Sequence, residues 1–215
     1  MGRFSDDGMW WWDGDTWVAT AQIVLPQFPP TEFEQSGKVE RARRDMRKSE
    51  WLSWANSCAL EPITAITGIA LLSVLQPALR DYRSWRLEQL ALATAYLLGP
   101  TEPMLAGEPA STTVDEARVG LARARGSYLA IAVTSTHLIV FRIDSPDGQP
   151  RWVALARRPS DVQVELVTVA RGLLYSALIV TVGPERWEIR GLPGVFKPQP
   201  VVDAWRRAVN AAATG

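Results

Sequence analysis

Cysteine and histidine are all but missing from this chain of 215 residues, which holds one of each, Cys58 and His137. A single cysteine excludes an intrachain disulfide, so a reducing compartment fits better than secretion and the expectation is a cytoplasmic protein. One cysteine and one histidine do not make a zinc site either. No sign of charge prevails: Lys+Arg and Asp+Glu both total 23, and nothing draws the chain as a whole to nucleic acid. The first 20 residues lack a basic region followed by an apolar run, which predicts no signal peptide. The apolar stretch at 63–75 spans thirteen residues, short of the ~18–20 of a membrane-crossing helix. Heptads and internal repeats are also lacking.

The usual marks of catalysis are thin. His137 falls at a predicted strand–strand turn, with no serine or cysteine in an elbow motif nearby. "GLPGV" has neither the spacing of a phosphate loop nor its Lys-Ser/Thr. Glu102, Glu108, Asp115 and Glu116 flank loops without a calcium-loop pattern. The reading is a non-enzyme with no cofactor and no metal.

What the chain does have is tryptophan, ten in all, four of them in "MWWWDGDTWVAT" at 9–20. Asp13-Gly14 is a turn dipeptide, so the stretch predicts a β-hairpin. A two-residue turn would set Trp10 opposite Trp17; a four-residue turn would set Trp12 opposite Trp17. Side chains alternate along a strand, so either register places Trp10, Trp12 and Trp17 on one face and Trp11 on the other. A lone two-stranded hairpin is marginal in water, and large exposed aromatic patches mark contact sites. Trp10, Trp12 and Trp17 are therefore the candidate docking residues, toward a partner chain or the body of this one. "DDGMWWWDGDTWVAT" resembles the short tryptophan-rich bacterial modules written as D-G-x-W-W-W-D-G-x-x-W-x-P, with Ala19 where proline is common. That resemblance implies a module type rather than an activity.

The expected organisation has three parts: the hairpin at 1–25, a helical region at 26–98, and a β-rich region at 99–215. Thr31 and Glu34 have capping-box spacing and predict a helix start. "KVERARRDMRKSEWLSWANS" has helix-forming composition, its basic run diluted by Glu40, Asp45 and Glu50. Pro62 suits a helix start and Gln76-Pro77 an end, so 63–75 reads as a buried core helix, with a membrane-interface helix as the alternative. Pro77 then begins another helix to Leu98, with Tyr82, Trp85, Gln89, Leu92 and Tyr96 as one stripe, thickened by Leu79, Leu87, Leu90 and Leu97.

Beyond residue 103 the period changes to two. About seven short strands follow, a spacing that reads as an all-antiparallel barrel or sandwich, in which Leu129, Ile131 and Val133 share one face of their strand and Ile139, Phe141 and Ile143 one face of the next. "VVDAWRRAVNAAA" closes the chain as an amphipathic helix with Val201, Trp205, Ala208, Val209 and Ala212 on one side. Strand count and terminal helix resemble the bacterial pleckstrin-homology-like superfamily, with Trp205 at its helix tryptophan and "IAVTSTHLIVF" similar to its second and third strands. The resemblance implies an α+β chain whose C-terminal antiparallel barrel is closed by the helix, with Trp205 buried. It also makes Arg118, Arg123 and Arg125 a weak candidate anionic-ligand site. The composite expectation is a scaffold that docks into an assembly, its partner another protein or a second copy. The alternative is a peripheral adapter for anionic lipid at the inner face of the membrane.

Overall fold

The computed structural model describes residues 2–35, 37, 40, 44, 62–109, 128–143, 148–171, 173–190 and 196–214. The chain divides into two units: Met1–Phe28 together with Gln89–Gly215, and Pro29–Glu88.

In the Pro29–Glu88 unit, Thr31 and Glu34 form the expected reciprocal cap. The Glu34 N–H donates to Thr31 Oγ1 at 3.3 Å and the Thr31 N–H to Glu34 Oε2 at 3.2 Å, opening the one-turn helix α1 (Glu32–Gln35). Helix α2 (Pro62–Leu98) overturns the expectation of two helices meeting at Gln76-Pro77, because it runs through both residues without a break. Pro77 has no N–H for the Ser73 carbonyl and its ring crowds that carbonyl, but a long helix keeps its other bonds on either side. The expected stripe is also corrected. Tyr82 and Trp85 are buried, their rings 5.6 Å apart, and Gln89 is buried, but Leu92 and Tyr96 are 37% and 46% exposed. Beyond Glu88 the helix enters the other unit, where the buried residues are Leu90 and Leu97, two of the flanking leucines expected, with Ala93 between them at three-to-four spacing. No helix among the described residues is long and apolar enough to cross a membrane.

The other unit is built on three antiparallel sheets. At the N-terminus, β1 (Arg3–Phe4), β2 (Trp10–Trp12) and β3 (Trp17–Ala19) pair in that order. A four-stranded sheet holds β4 (Ala106–Glu108), β5 (Tyr128–Val133), β6 (Leu138–Ile143) and β7 (Pro150–Arg157). A meander of β8 (Gln163–Arg171), β9 (Leu173–Val182) and β10 (Glu185–Arg190) forms the third. The terminal helix α3 is Gln199–Thr214.

The expected barrel does not close. Among the described residues no ladder joins β7 to β8 or β4 to β10, and all three sheets are open. Two features account for it. Pro159, at the head of the 3-10 turn Pro159–Asp161, has no N–H to extend a ladder from β7 into β8. Along β7, Val24 bridges Trp152 and the Leu25 N–H donates to the Arg151 carbonyl at 2.8 Å, so the N-terminal segment takes up that edge. The chain is α+β with packed open sheets.

Register explains the layering. Ile131 lies opposite Val140, so Leu129, Ile131, Val133, Leu138 and Val140 share a face. They pack with Leu178, Val180, Trp187 and Ile189 of the meander and with Val201, Val202 and Ala204 of α3. Ile139, Phe141 and Ile143 fall on the opposite face, with Ala130 and Ala132 of β5, against Leu90, Ala93 and Leu97 of α2 and against Phe4 and Trp11. The four-stranded sheet is thus apolar on both sides, which is why "YLAIAV" has no polar position. Trp205 is half-buried rather than sealed in: its indole donates to the Pro159 carbonyl at 3.0 Å, while Ala212 is exposed. The inward positions of α3 are Val201, Val202, Ala204 and Ala208.

Candidate docking surface

The tryptophan-rich turn is shaped by Asp13. Its Oδ1 accepts the Asp15 and Thr16 N–H groups at 2.8 and 2.7 Å, its Oδ2 accepts the Thr16 hydroxyl at 3.3 Å, and its own N–H donates to the Thr16 carbonyl at 3.1 Å. This folds residues 13–16 into a four-residue connection, with Gly14 at φ +115°. Of the two registers open to the sequence, the structure adopts the one that pairs Trp12 with Trp17, Trp11 with Val18 and Trp10 with Ala19. The Thr16 N–H, then that of Asp15, hold the Asp13 carboxyl below its usual range.

A third strand, β1, was not legible in the sequence. It sets Arg3 opposite Trp12 and Phe4 opposite Trp11. The β1–β2 loop closes on Asp7, whose Oδ1 accepts the Ser5 hydroxyl at 2.6 Å and the Met9 N–H at 2.9 Å. Those two donors, the hydroxyl first, lower the Asp7 pKa. Gly8 in this loop has φ +65° and lies so near the Ala156 carbonyl that a Cβ would run into it. Arg158 pairs with Asp6 and Arg157 reaches the Met9 sulfur at 3.2 Å, so the loop is held to the end of β7 from both sides.

Each row of side chains now has one direction. Phe4 and Trp11 are buried at 7% exposure, with Val18 packed against them. The Trp11 indole N–H donates to the Leu97 carbonyl at 3.0 Å, across a separation of 86 residues. Leu97 lies in the last turn of α2, where carbonyls have no intrahelical partner, so Trp11 supplies the helix end with a donor while burying its rings. Its ring centroid is 5.9 Å from that of Tyr96. Sequence reasoning put Trp11 on the far face and gave it no task. The signal was present in that alternation: a sheet with one face against the body buries one parity, and Trp11 is the aromatic of that parity.

The opposite row consists of Arg3, Trp12 and Trp17, with Trp10 beside it. Trp10 and Trp17 are 49% and 44% exposed, and Trp12 is half-buried. The Trp12 and Trp17 rings are 5.5 Å apart and tilted by 58°, so they splay rather than stack. The Arg3 guanidinium lies 5.8 Å from the Trp17 ring centroid. The three residues singled out in the sequence therefore do share a face, and it is the outward one.

The lone histidine belongs to a separate cluster. His137 closes the β5–β6 turn beside Phe4, ring centroids 5.2 Å apart, with its Nδ1 2.6 Å from Thr136 Oγ1 and 4.0 Å from Glu102 Oε1. Burial lowers its pKa, Glu102 opposes that, and Arg158 adds to it, for a net fall. Burial disfavours the Glu102 charge, but Thr134 and Thr136 donate to it from both hydroxyls and the Thr136 N–H, so its carboxyl ends below the usual range. Arg118, Arg123 and Arg125, and Cys58, lie outside the described residues. Among those described, no three His, Cys, Asp or Glu side chains gather as a metal site requires. No protein-family model matches the chain, and no curated protein does.

Proposed function

We propose that this protein is a non-catalytic interaction module that joins an assembly through the outward row of its N-terminal sheet, Trp10, Trp12 and Trp17. The observation that supports this reading is the division of labour within the sheet. Trp11 and Phe4 already anchor it to the body, so the outer tryptophans are not needed as glue, yet Trp10 and Trp17 keep close to half of their surface in water. Covering ~100 Å² of each indole is worth about 2.5 kcal/mol per residue at ~25 cal/mol/Å². A rigid, prepositioned aromatic pair also loses little entropy on contact. The β-rich body is then the platform that holds the pair in place.

The test is the double substitution Trp10→Ser with Trp17→Ser in the full chain, expressed in its own cell and followed by native size fractionation. The variant is expected to keep its melting temperature and lose its place in the larger assembly. A variant that fractionates with the same assembly as the wild type would overturn the proposal.

A further inference from the structure

We infer that the occupant of this face is a short, proline-rich, cationic segment of a partner protein, a deduction that rests on the docking reading above. Area sets the size of the occupant. Exposures of 49% and 44% at Trp10 and Trp17 amount to roughly 230 Å² for aromatic side chains of ~250 Å² each. A stable protein pair needs roughly 800 Å² from each partner. A second copy docked face to face is short of that by more than half, whereas a peptide of a few residues is matched by it.

Hydrogen-bonding capacity sets the backbone. The indole N–H groups of Trp10, Trp12 and Trp17 have no acceptor among the described residues, in contrast to that of Trp11. The face thus offers donors and flat apolar surface. A polyproline II segment is the complement: its carbonyls are free of internal bonds, its rings are apolar, and its extended form is set before binding. The Trp12 and Trp17 rings are in contact with each other, 5.5 Å apart and tilted by 58°, so a proline ring meets their outer surfaces.

Charge sets the sign. The face is bounded by Asp13 and Asp15 at one turn and by Asp6 and Asp7 at the other. Asp6 is matched by Arg158, while Asp7 and Asp13 accept hydrogen bonds that favour their charged forms. Arg3 over Trp17 shows that the aromatic surface already carries a guanidinium. Arg157 lies near Asp7 as Arg158 does Asp6, so a cationic peptide gains from the Asp13–Asp15 end, which repels an anionic bilayer.

The experiment is calorimetric titration of the full chain with a synthetic peptide of Pro-Pro-Arg repeats, its Pro-Pro-Glu counterpart, and phosphatidylserine-containing vesicles. Saturable binding of the arginine peptide is expected, about tenfold weaker for the glutamate peptide and about tenfold weaker again for Trp17→Ala. Asp15→Asn should weaken it by a few-fold, and added salt likewise. Equal affinity for the two peptides, no saturable binding of the arginine peptide, or vesicle binding that Trp17→Ala abolishes overturns the inference. If Trp10→Ser with Trp17→Ser disrupts the native assembly while the arginine peptide fails to bind, the docking role stands and the chemistry assigned to its occupant falls.

Discussion

Trp11 and Trp12 are neighbours in one short strand with identical side chains, and they lead opposite lives. Trp11 points inward, buries its rings against α2 and the four-stranded sheet, and spends its one donor on a helix-end carbonyl 3.0 Å away. Trp12 points outward, meets Trp17 in a splayed pair and has no acceptor for its N–H among the described residues. The cause is parity: the chain reverses face at every residue, and only one face of this sheet has a body behind it. Residue type says that an aromatic wants cover; position in the pleat decides whether its own chain provides it.

The comparison can be broken most severely at Trp11. Trp11→Ala should lower stability by about 3–5 kcal/mol, read as a shift in the urea midpoint, because it empties a buried aromatic site. Trp11→Phe retains most of the ring and loses the donor, leaving the Leu97 carbonyl without it; the expected loss is about 1–3 kcal/mol. If Trp11→Ala unfolds at the wild-type midpoint, the inner row is not the anchor.

Next in size is Gly8, which lets the β1–β2 loop lie on β7. Gly8→Ala forces a left-handed backbone on a residue with a Cβ and drives that Cβ at the Ala156 carbonyl, for a loss of about 1–3 kcal/mol. Gly14→Ala, at a position with open space around it, isolates the backbone part of that cost. Similar midpoints for the two variants would show that the close approach to β7 carries no weight.

A smaller effect is expected from acid. The folded pKa of His137 is below its ordinary 6.5, so the unfolded chain takes up the proton first. Stability therefore falls as pH drops below 6.5 and levels off once the folded pKa is passed. Glu102 gives its own loss at lower pH, as its folded carboxyl protonates below 4.5. His137→Asn should flatten only the upper part of the profile, a result checked by melting temperature against pH. Smallest of all is Trp17→Ala, which removes an exposed cross-strand pair worth under about 1 kcal/mol and should leave the melting curve nearly in place. A large loss there would make the outer row structural and erase the contrast between the two faces.

Local signals were legible in the sequence and distant ones were not. Alternation put Trp10, Trp12 and Trp17 on one face, and the Thr31–Glu34 spacing marked a helix start, since both depend on residues a few positions apart. The destination of Trp11 depends on Leu97, far along the chain, and no periodicity reports it. Strand β1 has two residues and no pattern to detect. Pro77 reads as a terminator because proline disfavours helix interiors on average, yet the bonds of a long helix absorb one missing N–H. The closed barrel failed for a similar reason: strand alternation specifies which side chains face inward, but edge pairing is settled by Pro159 and by a segment near residue 24 that competes for the edge of β7.

The 86-residue separation of Trp11 and Leu97 imposes an order of events on a chain made from its N-terminus. The tryptophans leave the ribosome well ahead of the wall that receives Trp11, which includes Phe141, Val153 and Ala156. Loop closure of this length is also slow to reward. Until that wall emerges, both faces of the aromatic strand are uncovered, and Trp11 waits in water for the surface that will receive it.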